Sequence, residues 1–233
     1  MSGPAFAEAI AFLVDRLAVT PAEWLRLVRE VDAAARDRST GMTDAMVRDI
    51  LEAIKEAISE GETLGTFRKD FASIASRHGW TGPDGVDPAG WRSELIFRTA
   101  TAQAMAAGRW RQIPDETADG EVPYLRYITA GDHRVREAHR AWNDLVLPAD
   151  HPWWKTHFPP NGWNCRCHVQ ILTKRELMRF GLKVGEAPPD NYVIRFVRGA
   201  DGVKRPVQVP AGIDPGFAFN PGEIGMGLVP DAG

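Results

Sequence analysis

The stretch Pro159-Pro160-Asn161-Gly162-Trp163-Asn164-Cys165-Arg166-Cys167-His168-Val169-Gln170-Ile171 joins a segment without periodicity to one that alternates as a strand. Cys167, Val169 and Ile171 alternate with polar residues, which predicts that they share one face of that strand. Both cysteines of the chain lie here. In an extended chain their Cα atoms stand about 6.6 Å apart, at the outer limit for a disulfide. We therefore expect two free thiols and no secreted disulfide framework.

The 36 residues from His133 to His168 hold an unusual set of side chains. They include four of the eight tryptophans and five of the six histidines, which are His133, His139, His151, His157 and His168. Zinc takes cysteine and histidine ligands in a tetrahedral shell, and two cysteines two apart on an extended segment point to the same side. The residues predict a structural zinc site. Its candidate ligands are Cys165, Cys167, His139 as the third and His157 as the fourth, with His133 and His151 as weaker candidates.

Other interpretations of this cluster stay open. The thiols can be small buried hydrophobes that bind no metal. A second interpretation is a catalytic cysteine, whose thiolate acts as nucleophile with a histidine as base. No helix N-terminus that would lower the pKa of the thiol precedes either cysteine. A zinc ion on His139, Cys165 and Cys167 that kept one position for water, with a carboxylate or His151 as general base, makes a hydrolase or nuclease. Two thiolates make zinc a poor Lewis acid, which favours the structural ion.

Outward from the cluster, the first 112 residues have helical periodicity. Helices are predicted behind the capping sequence Thr20-Pro21-Ala22-Glu23, after Thr43 as far as Gly61, and around Phe67, Phe71 and Ile74. The longest predicted helix begins at Asp87-Pro88. Its predicted apolar stripe consists of Trp91, Leu95, Ala102, Met105 or Ala106, and Trp110. These helices are amphipathic packing units.

After Pro114 the pattern changes to short strands and irregular segments. Tyr124 to Thr129 suits a strand and His133 to Trp142 a short helix. Leu145 to Asn164 has no period, so we expect a long loop that is either ordered or very unstable. Thr173 and Glu176 form a capping box for a helix that ends at Gly181. Tyr192 to Val197 and Val203 to Val209 predict a hairpin. The fold class is α+β: a helical region over 1–113, a small mixed module over 114–210, and an extended glycine- and proline-rich tail over 211–233.

Composition excludes several classes of protein. The 233 residues are 44% hydrophobic and 25% charged, with a net charge of −3, which argues against disorder over most of the length. No apolar run approaches the roughly 20 residues of a membrane span, and no secretory signal is visible. The balance of charge also disfavours a surface that is basic throughout. The cluster is locally basic, and its candidates for contact with DNA phosphates are Arg134, Arg136, Arg140, Lys155 and Arg166.

Four ordered blocks resemble the phage head morphogenesis proteins of the Mu F type. They are Ile96 to Gln112 of the longest helix, Asp132 to His139, Pro159 to Cys167, and Asp214-Pro215-Gly216 with Phe219-Asn220-Pro221-Gly222. Together they span roughly residues 60 to 222. The matching positions of the central blocks are Asp132, Arg136, His139, Pro159, Pro160, Cys165, Arg166 and Cys167. Many members of that family place a histidine where this chain has Gly162 and Trp163. Either a fourth ligand comes from elsewhere, such as His157, or the site is incomplete.

The resemblance implies a minor capsid protein that is needed for head assembly. Such a protein is present in few copies inside the head near the portal, and contacts the portal protein, the major capsid protein or both. Contact with packaged double-stranded DNA is a further expectation. The expected location is the virion interior, and the host cytoplasm during assembly, with no membrane partner. The resemblance implies no established catalytic activity, so we expect a protein that is not an enzyme.

Overall fold

A computed structural model describes residues 43–80, 90–114, 120–189, 191–198 and 203–224. The predicted helix behind Thr20, the predicted helix start at Asp87-Pro88 and the turn between the hairpin strands lie outside these residues. Within them the chain is α+β, as predicted. Three helices come first: α1 (Asp44–Glu60), α2 (Leu64–Arg77) and α3 (Trp91–Arg111).

The ends of the first two helices follow from their capping residues. The Thr43 hydroxyl accepts a hydrogen bond from the backbone N–H of Met46, and the Thr63 hydroxyl caps α2 in the same way. Gly61 ends α1 in the left-handed conformation, with φ of 69°. The predicted N-cap and C-cap of α1 are thus confirmed.

The helices share one apolar core. Its largest members are Phe67 and Phe71 of α2, Met46, Ile50, Ile54 and Ile58 of α1, and Trp80 just beyond α2. The stripe predicted for α3 is wrong for this core, although two of its positions, Ala106 and Trp110, pack against a second core. The buried face of α3 contains Ile96, Ala100, Ala104 and Ala107, while the side chain of Met105 is half exposed. Small side chains let the aromatic rings of α2 come close, and an alanine face produces no strong apolar stripe in the sequence.

The second part of the chain contains a three-stranded antiparallel sheet in the order β2-β1-β3. The strands are β1 (Tyr124–Ile128), β2 (Val146–Pro148) and β3 (His168–Leu172). Two short helices, α4 (Glu137–Ala141) and α5 (Trp154–His157), lie in the connections between the strands. The long loop before the cysteines is ordered, and it contains β2 and α5, which the periodicity did not predict because each has only three or four residues.

The sheet buries side chains on both faces. On one face Leu125 and Tyr127 of β1 and Val169 of β3 pack against the tryptophans of the connecting segments. Cys167, Val169 and Ile171 contact the same core, as the alternation predicted. On the other face Leu172 and Val146 pack against Leu177 of helix α6 (Lys174–Phe180). The capping box of α6 and its end at Gly181 are confirmed.

The remaining described residues form the predicted hairpin and the segment that follows it. The hairpin consists of β4 (Tyr192–Arg198) and β5 (Lys204–Pro210). Residues 211–224 follow the hairpin and end in helix α7 (Pro221–Ile224), which contacts α3. Ile213 and Phe217 of this segment are buried in the same core as β1. Helix α3 also reaches that core through Trp110. The division at residues 113 and 210 remains a prediction.

Candidate metal centre

The two cysteines lie at the end of a turn that leads into β3. The backbone N–H of Cys165 donates to the carbonyl of Gly162 over 3.1 Å, and Asn164 between them has a positive φ of 55°. This turn places the Cys165 side chain beside that of Cys167, the residue just before the strand. Both thiols are free and half-buried.

His139 on α4 completes a cluster with these thiols. Its Nδ1 lies 3.7 Å from the Cys165 Sγ and 3.6 Å from the Cys167 Sγ. The three ligand atoms all lie within 4.8 Å of one another. His139, Cys165 and Cys167 are therefore close enough to hold one metal ion. Two thiolates and an imidazole are a donor set that zinc accepts.

The far side of the His139 ring is held by the backbone. Its Nε2 is 2.9 Å from the carbonyl oxygen of Gly212, so this nitrogen donates and leaves the Nδ1 lone pair for the cysteines. A backbone carbonyl that orients a ligating histidine is a usual partner in metal sites. Gly212 has φ of 90°, and a Cβ there would lie 2.6 Å from the Cβ of Ala138. Only glycine fits so close to α4.

The thiols share a proton unequally. The pKa of Cys165 is lowered, mainly by the hydrogen bond it accepts from Cys167 and also by the neighbouring His139 ring, although burial opposes this. The pKa of Cys167 is raised, because its proton is held by Cys165 and because burial disfavours a second thiolate. The pair thus loses one proton easily and the second only when a cation replaces it.

Aromatic rings pack against the cluster, some of them stacked and some edge to face. The His139 ring stacks on Trp142 at 5.1 Å between centroids, and Trp142 meets Trp153 edge to face at 5.6 Å. Tyr127 of β1 is fully buried, and its hydroxyl donates to the Asn161 side-chain oxygen over 2.9 Å. The pKa of Tyr127 is raised, chiefly by burial, so the phenol stays protonated.

The structure does not bring His157 to the other three candidate ligands. This residue ends α5, where its ring stacks on Trp153 at 4.4 Å and its Nδ1 lies 2.8 Å from the Thr156 hydroxyl. Its ligand atoms are not among those within 4.8 Å of one another. His151 is also apart, since its Nδ1 accepts the backbone N–H of Trp153 over 3.1 Å. His133 is exposed outside the cluster. Sequence spacing could not separate these imidazoles, because the loop that carries them folds by burying its tryptophans.

An ion pair braces the loop before the cysteines. Arg136 donates to Asp214 over 2.8 Å and to the carbonyl of Trp163 over 2.9 Å, and the same Asp214 oxygen accepts the Trp163 N–H over 2.9 Å. A Cβ on Gly162 would lie 2.3 Å from that oxygen. Sequence reasoning missed the roles of Asp214 and Gly212. The signal for Asp214 was the closing motif Asp214-Pro215-Gly216, which was not assigned to the predicted site; Gly212 lies outside that motif and had no such signal.

A groove of about 830 Å³ opens beside the cluster, between it and α3. All three candidate ligands line it. Its lining also contains five arginines, namely Arg98, Arg109, Arg134, Arg136 and Arg166, and no aspartate or glutamate among the described residues. Arg98 and Arg109 come from α3 and were not among the predicted basic residues. Burial and the nearby charge of Arg109 lower the pKa of His168 in the same groove.

The five arginines and lysines predicted to contact DNA do not form one free surface. Arg134, Arg136 and Arg166 line the groove, whereas Arg140 and Lys155 are exposed outside it. Arg166 makes two hydrogen bonds to Asp132, at 2.7 and 2.8 Å, and these lower the pKa of that carboxyl to about 2. The Arg136 side chain is occupied by Asp214, and Arg140 donates to backbone carbonyls.

No helix in the described part of the chain has the length and apolar character needed to cross a bilayer. The comparison with solved structures finds no significant match. The chain is 31% identical over 221 residues to the "Putative capsid assembly protein F" of Escherichia phage Mu. This match covers 84% of the chain and 50% of that protein.

A second relative is the "Mu-like prophage FluMu F protein" of Haemophilus influenzae, which is 29% identical over 180 residues. This match covers 72% of the chain and 43% of that protein, so the chain spans about half the length of the curated relatives it matches. The family described as "Phage Mu protein F like protein" matches residues 48–170, from α1 through β3 and the cysteine cluster. The matched region is more than half of the chain, and the chain belongs to the Phage Mu protein F like family.

Proposed function

We propose that this chain takes part in head morphogenesis of a tailed phage as a minor capsid protein. The observation that carries the proposal is the likeness to the capsid assembly protein of phage Mu over 84% of the chain. In the proposal the protein lies inside the head near the portal, and binds the portal protein or the major capsid protein. It occurs in the virion, and in the host cytoplasm during assembly.

In this proposal zinc is a structural cofactor held by His139, Cys165 and Cys167. When bound, the ion links α4 to the start of β3 by strong ligand bonds. The chain's own residues prepare the site, since Gly212 orients the imidazole and the Arg136–Asp214 pair holds the cysteine turn. A module with three strands of five, three and five residues has little sheet to hold it together, so such a link stabilises it.

A protein-binding surface is available on the hairpin. The side chains of Tyr192, Ile194 and Phe196 alternate along β4 on one face and are 51%, 67% and 69% exposed. Contiguous apolar side chains of this kind mark interaction sites. The sequences of β4 and β5 also contain four basic residues and no acidic one. We expect a capsid component that presents acidic side chains beside an apolar strip.

Particle assembly tests this function. The phage that encodes the chain is deleted for it and complemented with wild type or with Ile194→Asp. We expect wild type to restore filled heads and to be found in purified particles, and the variant to be lost from them. Met178→Asp is the matched control, because Met178 on α6 is 70% exposed on another surface. Full heads without the chain, or equal incorporation of both variants, would contradict the proposal.

Contact with packaged DNA is a weaker part of the proposal. It is supported by Arg134 and Arg109 in the groove, which form no ion pair within the described residues. Such contacts are independent of sequence and fall steeply with salt. A shift assay with duplex DNA at two salt concentrations measures them, and Arg134→Gln is expected to weaken binding.

A zinc-dependent nuclease or hydrolase is the second candidate. It is favoured by one observation, that three protein ligands and one further position are the pattern of catalytic zinc sites. It is disfavoured by the two thiolates, and by a groove whose described lining offers no carboxylate as general base. Elemental analysis together with a nuclease assay of the purified chain separates the two. Zinc without turnover supports the structural ion, and turnover lost in Cys165→Ser supports the nuclease.

A further inference from the structure

The histidines and cysteines of this chain are all accounted for in the described residues. The sequence has six histidines and two cysteines, and each of them lies in a described segment. Three of the eight form the cluster. His78 lies in the helical part, hydrogen-bonded to Asp49 at 2.8 Å, and His157 stacks on Trp153 and meets Trp142 edge to face. His133, His151 and His168 do not place a ring nitrogen in the cluster.

A tetrahedral metal ion on this cluster therefore has three ligands from imidazole and thiol groups, and needs one more. Zinc takes four ligands in almost all structural sites. No other imidazole or thiol of the described residues has its ligand atom within this cluster. Two thiolates cancel the charge of a divalent ion, so the metal centre with its three protein ligands is neutral. The charge and size of the space beside the ion then decide which fourth ligand binds.

The surroundings are the arginine-lined groove. Because His139, Cys165 and Cys167 all line it, a ligand can approach the ion from this side. Three of the groove's arginines are paired: Arg98 with Glu94, Arg136 with Asp214 and Arg166 with Asp132. Arg109 and Arg134 form no ion pair among the residues that the structure describes. Two unneutralised guanidinium groups beside a neutral metal centre favour an anionic ligand.

The size and lining of the groove decide which anion fits. A volume of about 830 Å³ is that of a small-ligand site, which admits a side chain or a short extended segment. Its remaining lining is largely apolar and includes Phe97, Met105, Phe158 and Trp163. Apolar walls suit the side chains that flank an acidic residue in a peptide.

We propose that the metal centre is completed from outside the chain, by a carboxylate of an acidic segment of a partner protein that lies in the groove. The partner's aspartate or glutamate supplies the fourth ligand to the ion and pairs with Arg134 or Arg109. The inference rests on the proposed function, in that it needs a metal ion on His139, Cys165 and Cys167. In this arrangement the metal both stiffens the module and joins it to its neighbour.

Cobalt(II) reports the fourth ligand directly, because its visible absorption depends on coordination number and donor type. The purified full chain is loaded with Co²⁺ in a non-coordinating buffer and titrated with acetate, then with a short peptide that contains one glutamate between apolar residues. We expect saturable spectral changes with both, and tighter binding of the peptide. Inorganic phosphate is titrated in parallel and is expected to bind more weakly than acetate.

Variants test the contribution of the arginines. Arg134→Gln is expected to weaken the apparent affinity for acetate at least threefold, while the spectrum of the unliganded cobalt protein stays the same. Arg175→Gln, which removes an exposed arginine of α6 outside the groove, is expected to change neither. Circular dichroism checks that both variants fold.

The outcomes separate this inference from the proposed function. A chain that binds no Co²⁺ or Zn²⁺ contradicts the proposed metal centre itself. A chain that binds Co²⁺ but shows no spectral response to any added anion has a closed fourth position, and overturns only the present inference. Tighter binding of phosphate than of acetate also overturns it, in favour of a phosphate ligand.

Discussion

The helical part and the cysteine-bearing module of this chain are stabilised in different ways. In the described residues of the helical part the core consists of aliphatic and phenylalanine side chains and Trp80, and α1 and α2 begin at threonine caps. In the module around β1 the core combines aliphatic side chains with packed indole and imidazole rings, and hydrogen bonds and an ion pair hold the irregular segments. This difference in composition determines which part of the chain can bind a metal ion. The first part depends mainly on burial, with ion pairs such as His78–Asp49 and Arg68–Glu94 near its surface, whereas the second has metal-binding groups within its core.

The largest expected effect comes from removing both thiols. Cys165→Ser with Cys167→Ser should reduce bound zinc from about one ion per chain to none. At free zinc about 1,000-fold above Kd, loss of the bound ion lowers the free energy of unfolding by about 4 kcal/mol. Elemental analysis measures the metal, and hydrogen exchange at β1 and β3 measures the stability of the module. His78→Gln, which alters an imidazole in the helical part, is the control. An unchanged melting curve in the thiol variant would contradict a metal link.

A smaller effect is expected from the brace of the cysteine loop. Asp214→Ala leaves the Arg136 guanidinium and the Trp163 N–H without their acceptor, which should cost about 2 kcal/mol. The loss is expected in the module and should weaken zinc binding, because the turn before Cys165 loosens. Asp70→Ala on α2, where the carboxylate is exposed, should have little effect. Equal destabilisation by the two variants would show that the ion pair is not a brace.

In the helical part, removal of a single buried methyl group is expected to lower the free energy of unfolding. Ile54→Val on α1 removes a methyl group from a side chain that is 1% exposed, which should cost about 1 kcal/mol. Hydrogen exchange should increase in α1 and α2, while zinc content stays the same. If exchange at β3 rises by the same factor, the two parts unfold as one unit and the contrast between them fails.

The smallest expected effect is a pH dependence of the helical part. The hydrogen bond from His78 holds the pKa of Asp49 below its usual range, with Arg77 nearby. A lowered folded-state pKa adds stability above the unfolded pKa of about 3.9, and this is lost as the pH falls through the folded value. Asp49→Asn should therefore flatten the fall in unfolding free energy between about pH 5 and pH 3.

That titration is done on the double thiol variant, so that acid release of the metal does not contribute. Asp70→Asn is the matched control, since it removes a carboxylate from the neighbouring helix. A curve for Asp49→Asn that is as steep as that of its parent would exclude Asp49 as the titrating group.

Local patterns were enough to predict much of the fold. Thr43, Gly61 and the Thr173–Glu176 capping box were predicted as helix ends, and each acts through contacts within a few residues of itself. The alternation at Cys167, Val169 and Ile171 predicted a shared face for the same reason. The register of α3 was predicted wrongly, because a face of alanines carries little apolar signal. Whether that face is buried depends on the phenylalanines of a different helix.

The sequence by itself determined the α+β class, the family and the pair of thiols, since each is recorded in composition, periodicity or ordered motifs. Only the tertiary structure decided which imidazole joins the thiols. The sequence predicted His139 as the third ligand and His157 as the fourth, but only His139 joins the thiols. The carbonyl of Gly212, 73 residues along the chain, accepts a hydrogen bond from His139 Nε2 and leaves Nδ1 facing the sulfurs. Asp214 likewise braces the cysteine loop across 78 residues. Residues so far apart in the chain come into contact only when the core between them packs. No local sequence pattern predicts such a contact.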